Sequence, residues 1–186
     1  MPEIRNLFTD PLPAGPTGWI MDNGHNQGTK PELSFGNGQM LIQGHATDGN
    51  SYALRHVLNV PPNDYVFAFA ARSGSSPSFF ADRLSNVMDT NWHSFGVIPA
   101  STLNHRAVFR FTNTIEQRII FSFQAPHNEA SVAYERMLLC TAEDYETMLA
   151  ANVEWFSGTT YLRPGGGLPA NRLYPHVDMR ALVVVA

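Results

Sequence analysis

RAVFRFTNTIEQRIIFSFQ, residues 106–124, decides the fold. Ala107, Phe109 and Phe111 share one side of an extended chain, and Arg106 and Arg110 take the other. After NTIE, the pattern repeats: Ile119, Phe121 and Phe123 fall opposite Arg118, Ser122 and Gln124. A period of two is the mark of a half-buried strand, whereas a helix would scatter these aromatics around its circumference. The short polar connection predicts a hairpin, with the two Phe faces side by side against a second sheet.

The same alternation extends outward in both directions. SYALRHVLNV (51–60) sets Tyr52, Leu54, Leu58 and Val60 against Arg55 and Asn59. YVFAFAARS (65–73) has Tyr65, Phe67 and Phe69 on one side and small apolar residues on the other, as expected of a central strand covered on both faces. QMLIQGHA, WHSFGVIPA (led by Trp92) and SVAYERMLLC add further strands, and Pro- and Gly-rich turns separate them. TAEDYETMLAAN (141–152) alone has helical spacing. Thr141 caps its first turn with Asp144 three residues on, and Ala142, Tyr145, Met148 and Leu149 form one apolar face, placed against the sandwich edge. The expected fold is therefore all-β: a jelly-roll or β-sandwich of about eight strands with one short helix.

Beyond Gly158 the pattern stops. RPGGGLPANR is a Gly/Pro-rich linker, and it leads to Leu182-Val183-Val184-Val185. The division is a sandwich over residues 1–160 and a linker with a C-terminal β-strand arm over 161–186. An apolar terminal strand must join its own sheet or pair with another chain. In the second case Arg163 and Leu182, Val183, Val184 and Val185 form the partner interface, as in strand donation between subunits.

Composition excludes several classes. Twelve Phe and three Trp fill a core, and no apolar run reaches the roughly 18 residues of a membrane span. A net charge of −4 offers no electrostatic drive toward nucleic acid. One cysteine, Cys140, excludes an internal disulfide. The first residues lack a basic segment followed by an apolar one, so no secretory signal is expected. There is no G-x-S-x-G elbow, H-E-x-x-H pair or phosphate loop, and the chain is expected not to be an enzyme. Seven histidines are spread without ligand spacing, so no metal is assigned to them. The turns carrying Asp22 and Asp48 are weak calcium candidates, since Asp-Gly and Asn-Gly pairs are also what tight turns require. Structural calcium is thus the only cofactor considered.

Aromatic side chains are the remaining candidates for binding. Trp19, Trp92, Trp155, Tyr52, Tyr65, Phe79, Phe80 and Tyr161 could each stack on a sugar ring, against a core role that most aromatics in a sandwich have. Trp155, Tyr161, Phe79 and Phe80 are singled out: the first two border the glycine-rich linker, and the Phe pair sits in a loop where the alternation fails. For Trp155 the closing of a sheet edge is the stronger reading.

The order NLFTDPLP…GW (6–19), NSYALRHVLNVPPNDYVFAFAARS (50–73), NWHSFGV (91–97), ASVAYERMLL (130–139) and EWFSGTT (154–160) resembles the carbohydrate-binding-module-like jelly-roll domains of phage minor tail proteins, especially those of actinobacteriophages. The resemblance implies a structural virion component, a minor tail or tail-tip protein assembled in the host cytoplasm. Its implied partners are other virion proteins, further copies of itself and a host-wall glycan. It also implies an acidic residue in the late strand beside a structural calcium, and Glu135 occupies that strand. A capsid decoration protein clamping shell subunits and a host-surface glycan-binding module are the alternatives.

Overall fold

A computed structural model describes residues 3–8, 10–22, 30–45, 53–80, 82–156, 160–162 and 182–185. The strands are β1 (Glu3–Arg5), β2 (Trp19–Asp22), β3 (Glu32–Gly36), β4 (Gln39–Gln43), β5 (Ala53–Val60), β6 (Asn63–Arg72) and β7 (Arg83–Asp89). They continue with β8 (Ser94–Pro99), β9 (Arg106–Asn113), β10 (Gln117–Gln124), β11 (Ser131–Thr141), β12 (Thr160–Leu162) and β13 (Leu182–Val185), and one helix, α1 (Ala142–Ala150), follows β11. Five strands form one sheet in the order β2-β5-β10-β7-β8, and six form the other in the order β13-β9-β6-β11-β4-β3. The fold is a jelly-roll β-sandwich.

The alternating strands fall where their periodicity predicts, but the expected hairpin does not form. β9 pairs with β6, and β10 pairs with β5 and β7, so the chain crosses from one sheet to the other between them. The two Phe rows face each other across the core instead of lying side by side; Phe111 and Phe121 meet edge-on at 6.4 Å. Alternation fixes which side of a strand is buried, and it is equally satisfied by either arrangement. The crossing is held by Asn113, whose amide donates to Val60 O (2.8 Å) and Pro61 O (3.0 Å) at the neighbouring β5–β6 corner.

β11 is interrupted where its register with β6 slips between Glu135 and Leu138, and Arg136 takes a left-handed backbone there (φ 55°). Such a bulge strands backbone groups that the ladder would have paired. Asn6 recovers them: its Nδ2 donates to Met137 O (2.9 Å), and its Oδ1 accepts from Leu139 N (2.9 Å) and Phe8 N (3.0 Å). Met137 N donates to Pro11 O (3.0 Å), and the Trp155 indole Nε1 donates to Met137 O (3.3 Å). The N-terminal segment is thus part of the sandwich wall.

Thr141 caps α1 through a bond from Asp144 N (3.1 Å), as its sequence predicts. The helix lies on the outer face of the six-stranded sheet, not at its edge. Tyr145 and Met148 pack there with Val66, Ala68, Val108, Leu138 and Cys140, and Ile4, Trp155 and Phe156 complete this second apolar cluster. The small residues of β6 leave room for the helix to approach. Beneath the cover, Arg106 Nη2 donates to Glu154 O (2.9 Å) and Nη1 to Arg136 O (3.1 Å). β13 runs parallel to β9 and joins the six-stranded sheet of its own chain, the first of the two options open to an apolar terminal strand.

Candidate functional site: the open face of the five-stranded sheet

A sandwich has two outer faces, and here they differ. The six-stranded face is covered by α1 and the second cluster. The five-stranded face has no such cover among the described residues. Three of the five large apolar side chains that the described residues leave exposed sit on it: Ile20 (55% exposed), Trp92 (56%) and Val97 (39%).

The register organises this face. Ile20 pairs with Arg55, Arg55 with Ser122, Ser122 with Asn86, and Asn86 with Val97. This single rung crosses all five strands, with four interstrand spacings of about 4.8 Å each giving roughly 19 Å. Its ends are apolar and its centre polar.

Trp92 meets that rung at Arg55. It belongs to the turn between β7 and β8, not to β8 itself as the sequence suggested. The Arg55 guanidinium carbon lies 4.2 Å from its ring centroid, within cation–π range. β10 lies between β5 and β7, and its outward-pointing Ile120 is buried, as is Met88 opposite it on β7. One ring face rests on Arg55 while much of the indole stays exposed.

The turn that presents Trp92 is strained and braced. Trp92 has φ 69°, a region that bulky side chains rarely occupy and that persists only where the surroundings enforce it. Asp89 supplies the enforcement: its Oδ1 accepts from Asn91 N (2.7 Å) and His93 N (2.9 Å), and its Oδ2 lies 3.1 Å from His93 Nδ1. The backbone closes the loop through Asp89 N to His93 O (3.0 Å) and Trp92 N to Asp89 O (3.2 Å). Burial pushes the Asp89 carboxyl upward, but the His93 amide and ring and the Asn91 amide outweigh it and hold its pKa below the ordinary carboxylate value.

The residues singled out in the sequence are distributed elsewhere. Trp155 is only 6% exposed and lies in the cluster beneath α1, so a sugar-platform role for it is corrected: neither ring face is open. Phe80, 2% exposed, belongs to the central core, and Phe79 is half-buried in a short 3₁₀ turn, Pro77–Phe79. The Phe pair is anchored by His127 N donating to Phe79 O (2.7 Å), which turns the loop inward. Tyr161 lies on β12 opposite Ile4, and its side chain is outside the described residues, as are Arg163 and the linker. Leu182–Val185 are described in backbone only.

The calcium candidates do not converge. Asp48 lies outside the described residues, and Asp22 is placed on β2 by backbone alone. Glu135 is bound by Arg72 Nε (2.7 Å) and Gln39 Nε2 (2.8 Å), which neutralise and occupy the charge a cation would need. Among the described residues no three His, Cys, Asp or Glu side chains are grouped to hold a metal ion.

No protein-family model matches the chain, and no curated protein matches its sequence. Solved structures resemble it at low identity. A CBM4 carbohydrate-binding module matches with a TM-score of 0.45 and 14% identity over 73% of this chain and 96% of its own. The enzymatically active domain of bacteriophage CBA120 tailspike protein 4 gives 0.47 and 10% identity, over 72% of this chain and 21% of that one. A family 29 carbohydrate-binding module, solved as a mutant with mannohexaose, gives 0.41 and 13% identity over 78% and 98%.

Proposed function

We propose that this chain is a non-catalytic glycan-binding sandwich whose ligand lies across the open face of the five-stranded sheet. One observation carries the reading: an exposed indole held at a strained backbone angle, braced by Asp89 from below and by Arg55 on one ring face. Core packing does not call for that expense, because the ring is over half exposed. A flat aromatic surface with one free face suits the C–H face of a pyranose, and the flanking rung supplies hydrogen-bonding groups. The test is a glycan array with wild-type protein and Trp92→Ala. Binding that survives the substitution, or no binding by the wild type on any glycan, overturns the proposal.

A second reading is carried by the sequence resemblance over residues 6–160: service as a structural component of a phage virion, in the tail or tail tip, with glycan binding directed at the host wall. Quantitative mass spectrometry of purified particles tests it. A few copies per particle support a tail-tip position, tens to hundreds support capsid decoration, and absence from the particle refutes both. For the terminal strand, removing residues 176–186 separates two roles. Because β13 pairs with β9 of the same chain, loss of folding stability is the expected result, and a stably folded domain that no longer assembles would instead support an arm reaching a neighbour.

A further inference from the structure

The N-terminal segment closes over β5 at a buried histidine. His56 is 4% exposed. Its ring stacks on Phe8, with centroids 4.7 Å apart and 24° between the planes, and meets Trp19 at 4.9 Å and 52°. Gly18 lies so close that a Cβ there would come within 3.1 Å of His56 Cε1. The register sets Trp19 opposite His56 on β2 and Phe121 opposite it on β10. What these elements bring to the ring is aromatic or backbone, with one titratable exception, Asp10. In this closed form Asp10 Oδ2 accepts from the Trp19 indole Nε1 (3.1 Å).

A neutral imidazole suits such an aromatic box. An imidazolium does not, because burial removes the water that would solvate its charge. Two influences favour the cation, the Asp10 carboxylate and a hydrogen bond to the Gly18 backbone. Burial outweighs both and holds the His56 pKa below the ordinary histidine value.

The cover over the ring is weak on one side only. β2 is a four-residue edge strand paired with β5 alone, and most of residues 14–18 leading into it are exposed. Phe8, by contrast, lies in a segment fixed to β11 by the Asn6 amide and by Leu7 N donating to Leu139 O (2.7 Å). Short peripheral elements open locally at a fraction of the free energy of global unfolding.

We propose that His56 is an acid-sensitive latch for the Gly18–Trp19 turn and β2: a proton on its ring releases this edge from β5, and Asp10 exchanges the Trp19 indole for the new imidazolium. The latch is independent of what the open face binds, although β2 carries Ile20, one end of the rung on that face. The closed form keeps the ring neutral, whereas the open form takes up a proton at the ordinary histidine value. Closure is therefore complete above about pH 6.5 and weakens as pH falls toward and through the folded-state value.

Hydrogen exchange of the full chain, read by mass spectrometry between about pH 7.5 and 4.5, measures protection of the β2 amides relative to free-peptide rates. The expected result is a loss of about tenfold per pH unit below about pH 6.5, with β10 remaining more strongly protected than β2 throughout. His56→Phe, which fills the same box without a titrating group, should remove the dependence. An NMR titration of the wild-type His56 ring needs no variant: the ring should titrate below the ordinary value, and the β2 resonances should shift with it. Protection of β2 that does not vary with pH, or the same dependence in His56→Phe, overturns the latch. So does equal protection of β2 and β10 at acid pH, which makes the opening global, or a ring that titrates at or above about 6.5.

Discussion

Replacing Asn6 by Ala tests whether the N-terminal segment is structural wall or loose lead-in. The side chain satisfies three buried backbone groups: Met137 O, Leu139 N and Phe8 N. Met137 O keeps a partner after the substitution, because the Trp155 indole also donates to it. Leu139 N and Phe8 N lose theirs. A buried amide left without an acceptor costs about 1–3 kcal/mol, so two of them give roughly 3–4 kcal/mol. In a chain of this size each kcal/mol moves Tm by about 2–4 °C, which predicts a fall near 10 °C. Urea unfolding followed by circular dichroism measures the free energy, and hydrogen exchange at the Leu139 amide reports the local effect. Asn6→Leu, which restores volume but no acceptor, should lose nearly as much as Ala. A loss below about 1 kcal/mol, or unchanged protection at Leu139, would refute the role assigned to Asn6 in closing the bulge.

Gly44→Ala should prevent folding or cost more than about 3 kcal/mol, because a Cβ there would lie 1.7 Å from the Pro126 carbonyl oxygen, a backbone atom that cannot step aside. Gly36→Ala, with nothing within 4 Å of the added carbon, is the neutral control; soluble-expression yield and Tm distinguish them. Burial pushes the Cys140 thiol pKa well up, so an aromatic disulfide reagent at pH 8 should leave it unmodified until the protein is unfolded. The Asp89 carboxyl has a folded-state pKa below its unfolded value of about 3.9; its bracing of the Trp92 turn is fully present above that value and is lost as pH falls through the folded one. The fluorescence difference between wild type and Trp92→Phe should therefore hold down to about pH 4 and change only below it, and Asp89→Ala should show the acid-form signal at neutral pH. Arg106→Met removes the buried cation 3.9 Å from Glu154 and the donors to Glu154 O and Arg136 O, and should destabilise by about 3–5 kcal/mol in urea unfolding, with Arg106→Met/Glu154→Leu recovering part of the loss.

The strands that sequence revealed are those with a row of large apolar residues at every second place and mostly polar, small or β-branched residues between them. β5, β6, β9 and β10 show this over eight to ten residues, and α1 announces itself through the Thr141 cap. β7 was not legible. Its RLSNVMD buries Leu84 and Ser85 consecutively and then Val87, Met88 and Asp89 in a row, around register slips with β8. A strand whose pairing slips shows no clean period, and with β7 unseen the Trp92 turn read as the head of a strand. Partner choice was also hidden. Phe109 and Phe121 look equivalent in sequence, yet one row belongs to each sheet, because either pairing buries the same faces. The left-handed backbone of Trp92 leaves no trace in residue type, since it is enforced by Asp89 three residues earlier.

The arginines of the outward-facing positions make the same point about function. Arg55, Arg106, Arg110 and Arg118 each alternate with core residues and look like one solvated class. In the fold Arg106 is sealed under the 150–156 segment beside Glu154, Arg110 reaches Glu146 on α1, Arg55 lies beneath Trp92, and Arg118 stays exposed. What separates them is the covering layer above each sheet, which a strand's own periodicity does not encode. The cover is recruited by the β11 bulge: Met137 and Arg136 expose backbone groups that Asn6, Pro11, Trp155 and Arg106 then satisfy, and α1 follows directly from the end of that strand. Closing one face this way uses Trp155, one of the aromatics singled out in the sequence, as a structural donor. The other face has no bulge in its central strand β10, whose ladder with β5 runs unbroken from Gln117 to Gln124 and so has no stranded backbone groups to attract a cover. Under the proposed function, ligand contact falls to the indole that the β7–β8 turn holds out on that face.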